Sequence, residues 1–181
     1  MKNKIIHIIM LSIFTIMPSN VFASEEIALQ VCTNSNLIIK VCKSSDFKRH
    51  RVEKALSYWR RLGYSFGQVY IDDNSKSCNG SPDVGEIVIR PPEKELESDF
   101  MAITERTAVK ATGYLLFSVI LIKNSDVNKE RVLEHEIGHA MGWNHSDSRY
   151  HLMYEEWMHG GSSSRGLSKS IYDEKCREIL K

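Results

Sequence analysis

The chain has 181 residues and a formal net charge of +1, and 42% of its residues are hydrophobic against 26% charged. This balance is ordinary for one globular domain. Because the sequence contains neither a polybasic run nor a patch that combines aromatic and basic residues, nucleic acid and anionic membrane surfaces are not expected partners.

The first 23 residues have the pattern of a signal peptide. Two lysines in MKNK precede the apolar run IIHIIMLSIFTIM, and Val21 and Ala23 occupy the small-residue positions that a signal peptidase recognises. The run is short for a membrane span and polar sequence follows it, although a permanent N-terminal anchor is the alternative interpretation. We therefore expect cleavage after Ala23, a secreted or periplasmic product with no membrane attachment, and a single domain over residues 24–181.

Four cysteines lie after the expected cleavage point. An even number of cysteines in an exported chain favours two disulfides, and the sequence leaves all three pairings open. The wide spacing of the cysteines and the lack of a CxxC pair argue against a cysteine-based metal site. The four residues are Cys32, Cys42, Cys78 and Cys176.

The first half of the chain predicts three strands and one helix. Apolar residues at three- and four-residue steps from Val52 to Leu62 indicate the helix, which Ser45 or Asp46 would cap. Two prolines at Pro91 and Pro92 end the third strand. The predicted segments are 36–43 (strand), 44–64 (helix), 65–73 (strand), 74–85 (turns) and 86–92 (strand).

The second half predicts two further strands and two helices. The first of these helices has one apolar face, and Ser168 precedes the last helix as its N-cap. The segments are 101–109 (strand), 113–123 (strand), 129–141 (helix) and 169–180 (helix), and the apolar face consists of Leu133, Ile137, Ala140 and Met141. Together the elements predict an α+β fold without repeats or a second domain.

The stretch HEIGHAMGWNH, residues 135–145, contains the candidate metal-binding and catalytic residues. His135 and His139 are four residues apart on the predicted helix, so their imidazoles lie on one side of it, opposite the apolar face. Gly142 permits the turn that brings His145 towards the same point. Three neutral imidazoles leave a fourth position of a tetrahedral zinc open for water, which is typical of a catalytic site. Glu136 is better placed to act as a general base than as a ligand.

Chance is the alternative explanation for this pattern. A bare HExxH arises often enough in helices that it is weak evidence alone, and its histidines can be solvated polar residues. The glycine and the third histidine at the right offsets make coincidence remote.

The motif HExxHxxGxxH resembles the metzincin signature, and the chain is most similar to the matrixins. Ser146 follows the last histidine, and Met153 lies eight positions after His145 and is followed by Tyr154, as in the matrixin Met-turn. The resemblance implies that Met153 supports the zinc site from beneath without binding the metal. A departure follows the Met-turn, where Glu155 stands in place of the usual proline.

The resemblance covers the chain from about residue 37 to its end and implies a fold. That fold is an α+β catalytic domain with a twisted, mostly parallel five-stranded sheet, two long helices and a C-terminal helix after the Met-turn. It also implies a peptide or protein substrate that binds as an added edge strand, for which we assign Ala102–Thr107. We expect the protein to be a monomer.

The predicted function is therefore that of a secreted zinc endopeptidase with metal-activated water and Glu136 as general base. Two alternatives are a catalytically silent zinc-containing binding protein and a zinc amidase that acts on cell-wall peptide links. One zinc ion is expected. A calcium ion bound at the turn 71–77 is an alternative interpretation of that segment, although a solvated turn is favoured there. Near the Met-turn, His151 is expected to have no catalytic role, with contact with substrate as the less favoured alternative, and Cys78 is expected in a disulfide rather than in a latency switch.

Overall fold

The structure, a computed structural model, describes residues 27–33, 36–97, 100–156 and 161–181. The predicted signal peptide, residues 1–23, lies outside these ranges. Across the described ranges, no helix has the length and apolar character needed to cross a lipid bilayer.

The described part of the chain contains a five-stranded sheet with the order β2-β1-β3-β5-β4. Strands β1, β2, β3 and β5 are parallel to one another, and β4 pairs with β5 in the antiparallel direction. The mostly parallel α+β fold is thus confirmed, and β4 is an edge strand, as assigned. The strands are β1 (Leu37–Cys42), β2 (Phe66–Asp73), β3 (Glu86–Arg90), β4 (Ala102–Val109) and β5 (Tyr114–Ile122).

Within the described residues, four α-helices and one short 3₁₀ turn connect and cover the strands. They are α1 (Arg49–Arg61), α2 (Lys76–Asn79), the 3₁₀ turn (Asn124–Asp126), α3 (Val132–Ala140) and α4 (Lys169–Ile179). The short helix α2 lies in the segment that the sequence predicts as turns only. As predicted, Ser168 caps α4, because its side chain accepts the N–H of Ile171.

The predicted starts of α1 and α3 are wrong. Neither Ser45 nor Asp46 caps α1, which begins after Lys48 without a side-chain cap, and the Ser45 hydroxyl donates to the Cys42 carbonyl instead. Helix α3 begins three residues later than expected because Arg131 has φ +66°. This left-handed conformation interrupts the helical dihedrals.

The hydrophobic core holds α3 against α1. The predicted apolar face of α3 is confirmed, since Leu133, Ile137, Ala140 and Met141 are all buried. Trp59 of α1 is fully buried, and its indole N–H donates to the Glu134 carbonyl over 2.8 Å. The contact leaves the opposite side of α3 free for polar groups.

Two disulfides select one of the three pairings. Cys32 is bonded to Cys176, and Cys42 is bonded to Cys78. The first disulfide holds the segment 27–33 against the C-terminal helix, and the second confirms that Cys78 belongs to the folded domain.

Candidate active site

Helix α3 places two imidazoles side by side. The ring centroids of His135 and His139 are 4.5 Å apart. In each ring, Nδ1 donates a hydrogen bond to a backbone carbonyl. His135 donates to the Leu152 carbonyl over 2.7 Å, and His139 donates to the Trp143 carbonyl over 2.8 Å. Because Nδ1 donates in both bonds, each Nε2 presents a lone pair, as a metal-binding histidine requires.

The turn after α3 brings the third imidazole to this pair. Gly142 has φ +111°, and a Cβ there would lie 2.3 Å from the Val31 carbonyl oxygen. Glycine is therefore required both by its conformation and by the close approach of the N-terminal segment. The turn places Nε2 of His145 3.0 Å from Nε2 of His139.

These three side chains form a group that fits a metal ion. One ring nitrogen from each of His135, His139 and His145 lies within 4.8 Å of the others. Burial lowers the pKa of His135 to about 4 and that of His139 to about 3, and it lowers the pKa of His145 as well. The rings are thus neutral at pH 7, and a set of three imidazoles suits zinc.

The carboxyl group of Glu136 lies beside this group and is buried. Its Oε2 accepts a hydrogen bond of 2.5 Å from the hydroxyl of Thr104 on β4. Burial raises the pKa of Glu136 to about 7, and the bond from Thr104 opposes that shift. A carboxyl group poised near neutrality can both accept and release a proton.

The Met-turn supports α3 from below. Met153 is fully buried, and a Cβ added at Gly138 would lie 2.5 Å from its sulfur. Only a glycine at position 138 allows this close packing. The carbonyl of Leu152, the residue before Met153, accepts the hydrogen bond from Nδ1 of His135. The turn therefore also orients the His135 ring.

His151 has a structural role, and the less favoured alternative of a substrate contact is not supported. The residue is buried, its Nδ1 accepts the N–H of Met153, and its Nε2 donates to the Arg165 carbonyl over 2.9 Å. Burial lowers its pKa. The neutral ring therefore joins the Met-turn to the loop at 161–167.

An open cleft of about 1230 Å³ runs along β4 and over the three histidines. Ala102, Ile103 and Thr104 of the edge strand line it, and so do Tyr154 and Glu155 after the Met-turn. The edge strand, the three imidazoles and Glu136 thus face one cavity.

The turn at 71–77 is a separate feature. Asp73 accepts the N–H of Ser75, and no residue of this turn belongs to a metal-capable group in the described ranges. Nothing in this turn supports a calcium site.

The structure brings together the predicted His135, Glu136, His139, Gly142 and His145, with Met153 beneath. Sequence reasoning missed Thr104 and Gly138. No local signal marks Thr104, whereas Gly138 stands out as a glycine inside a predicted helix, which often signals close packing.

Comparison with known proteins gives one result that covers most of the chain. The family model for Matrixin matches residues 57–170, which is more than half of the 181 residues. No curated protein matches the chain. Together with the five-stranded sheet and the three converging histidines, this match shows that the chain belongs to the matrixin family.

Proposed function

We propose that the protein is a secreted zinc endopeptidase in which His135, His139 and His145 bind the metal and Glu136 is the general base. One observation carries this proposal: three neutral imidazoles converge within 4.8 Å beside a buried carboxyl group, inside a cleft along a sheet edge. Membership of the matrixin family also suggests a zinc metallopeptidase.

Zinc at this position would polarise a scissile carbonyl and lower the pKa of water towards neutrality. Glu136 accepts the proton of the attacking water on its carboxylate and delivers it to the leaving amine. Thr104 holds the carboxylate from the β4 side while this happens. The Leu152 and Trp143 carbonyls keep two of the imidazoles in the tautomer that binds a metal.

The edge strand suits an extended peptide. Strand β4 pairs with β5 on one side, and no other strand among the described residues pairs with its outer edge, where the backbone of Ala102–Thr107 would pair with a substrate. The cleft is open rather than closed around one small group. These features favour an endopeptidase over an amidase for cell-wall peptide links. The buried carboxyl group of Glu136 favours an enzyme over a silent zinc-binding protein, because a binder has no use for a general base.

Action outside the cytoplasm is part of the proposal. Two disulfides in a chain of this size are typical of exported proteins, because the cytoplasm keeps thiols reduced. The signal peptide over residues 1–23 would supply the route.

The test is cleavage of a mixed peptide library by the zinc-loaded protein and by Glu136→Ala. We expect the variant to lose at least about 100-fold in rate, because general-base catalysis contributes that much. Zinc binding, measured by calorimetry, should be nearly unchanged. Cleavage that survives in Glu136→Ala contradicts the assigned base. Two proteins that bind zinc but cut no peptide favour the binding role, and release of cell-wall peptide fragments alone favours the amidase.

A further inference from the structure

Arg106 lies on the cleft side of β4, two residues after Thr104. Its side chain is half-buried and lines the cleft together with Gln30 and Asn144. Nη1 donates to the His139 carbonyl over 3.3 Å, and Nη2 donates to the side-chain oxygen of Gln30 over 2.6 Å. Both acceptors are neutral.

The charge of this guanidinium is not compensated in the described part of the chain. None of the carboxylates there lies within 4.0 Å of Arg106.

Arg106 lines an open cleft without a carboxylate partner, so an anion that enters the cleft can approach its charge. A guanidinium has five N–H donors, and the two hydrogen bonds to Gln30 and His139 leave three of them available. A carboxylate matches that fork with two parallel hydrogen bonds.

We propose that Arg106 binds a carboxylate side chain of the substrate, so that the enzyme prefers an Asp or Glu close to the scissile bond, at the Gln30 end of the cleft. This inference deepens the proposed peptidase function and rests on it. Arg106 is then a residue that determines specificity.

A structural role alone would also account for part of the geometry. The His139 carbonyl belongs to the last turn of α3, where a positive charge stabilises the helix end. That role would affect all peptides equally, because it acts through the shape of the site. A binding role changes the ratio between an acidic peptide and its amide counterpart, and this ratio separates the two roles.

The experiment uses peptide pairs that differ only in Glu or Gln at each position around the scissile bond. For the zinc-loaded protein, we expect kcat/KM to favour Glu over Gln by about tenfold or more at one position, as charged hydrogen bonds discriminate by that much. Arg106→Gln should remove the preference. Arg106→Glu should shift it towards a peptide with Lys at that position. Arg60→Gln is the matched control, since it removes the same charge from an exposed position on α1 that does not line the cleft, and it should leave the ratio unchanged.

A second readout does not depend on turnover. Calorimetry should show tighter binding of the Glu peptide than the Gln peptide to zinc-loaded Glu136→Ala, and no difference in Glu136→Ala/Arg106→Gln. Zinc content is measured for each variant so that metal loss cannot imitate the result.

The outcomes separate the two proposals. If the protein cleaves peptides without preferring Glu, or if Arg106→Gln slows both peptides equally, the inference is overturned while the peptidase function stands. If no peptide is cleaved, the proposed function fails, and the binding difference alone then supports or overturns the role of Arg106.

Discussion

The hydroxyl of Thr104 is the one side-chain partner of the Glu136 carboxylate among the described residues, at 2.5 Å. It restricts the carboxylate to one orientation. Thr104→Val keeps the shape and removes the donor, so we expect kcat to fall about tenfold, the scale of one hydrogen bond to a charged group. KM and zinc affinity should stay within a factor of two or so, because the shape of the cleft wall and the imidazoles are unchanged.

Thr104→Ser is the matched control, because it retains the hydroxyl and should recover most of the rate. Steady-state kinetics on one good peptide substrate, with zinc titrations in parallel, check both variants. If Thr104→Val raises KM and leaves kcat intact, Thr104 contacts the substrate and does not orient Glu136.

At the scale of elements, the packing of α1 against α3 depends on a buried ion pair. Arg51 Nη2 lies 2.7 Å from Glu134 Oε2, and the two side chains are 8% and 1% exposed. Arg51→Met would leave the Glu134 carboxylate buried without its nearest cation. We expect a loss of about 3 kcal/mol in the free energy of unfolding, measured by urea denaturation of the metal-free protein.

The double variant Arg51→Met/Glu134→Met tests the cause of that loss. It should recover most of the stability, because removal of both partners leaves no fully buried charge, and Arg131, whose Nη1 lies 3.9 Å from Glu134 Oε1, is partly exposed. The exposed pair Arg60 and Glu53 on the same helix is the control, and Arg60→Gln should cost less than about 1 kcal/mol. A double variant as unstable as Arg51→Met would show that packing, rather than charge, explains the effect.

The local elements could be predicted from the sequence because their signals are short-range. The apolar face of α3, the i and i+4 histidines and the glycine turn at 142 all depend on residues within one or two turns of each other. The late start of α3 could not be predicted, because nothing local requires the left-handed conformation of Arg131.

Contacts between distant parts of the chain could not be predicted from the sequence, because no short-range signal marks them. Thr104 and Glu136 are 32 residues apart and meet only because β4 lies along α3. Val31 lies over Gly142 because the segment that carries it pairs with the turn after α3 and is bonded through Cys32 to Cys176. Thr104 and Val31 are ordinary residue types, so the three-dimensional arrangement alone gives these two residues their roles.

At the scale of the whole molecule, the two disulfides have different tasks. The segment held by Cys32 forms an antiparallel bridge with the turn after α3. In this bridge the Gln30 N–H donates to the Gly142 carbonyl, and the Asn144 N–H donates to the Ala28 carbonyl, both over 3.0 Å. This bridge fixes the turn that carries His145. The disulfide between Cys42 and Cys78 joins β1 to α2, which packs on β1 and β3 away from the histidines.

The chain-entropy estimate gives similar stabilities for the two bonds. They close loops with sequence separations of 144 and 36 residues, which correspond to about 5 and about 4 kcal/mol. We therefore expect comparable losses in unfolding free energy from Cys32→Ser/Cys176→Ser and from Cys42→Ser/Cys78→Ser.

Zinc affinity should distinguish the two double variants. The loss of the Cys32 bond frees the segment that holds the turn, so we expect affinity to fall about tenfold or more, as when groups that orient metal ligands are removed. The Cys42 variant should bind zinc as the parent protein does. Chelator competition at a temperature where circular dichroism shows both variants folded makes the comparison. Equal zinc affinity in both would mean that α3 and the Met-turn alone position His145, and the N-terminal segment would then contribute to stability only.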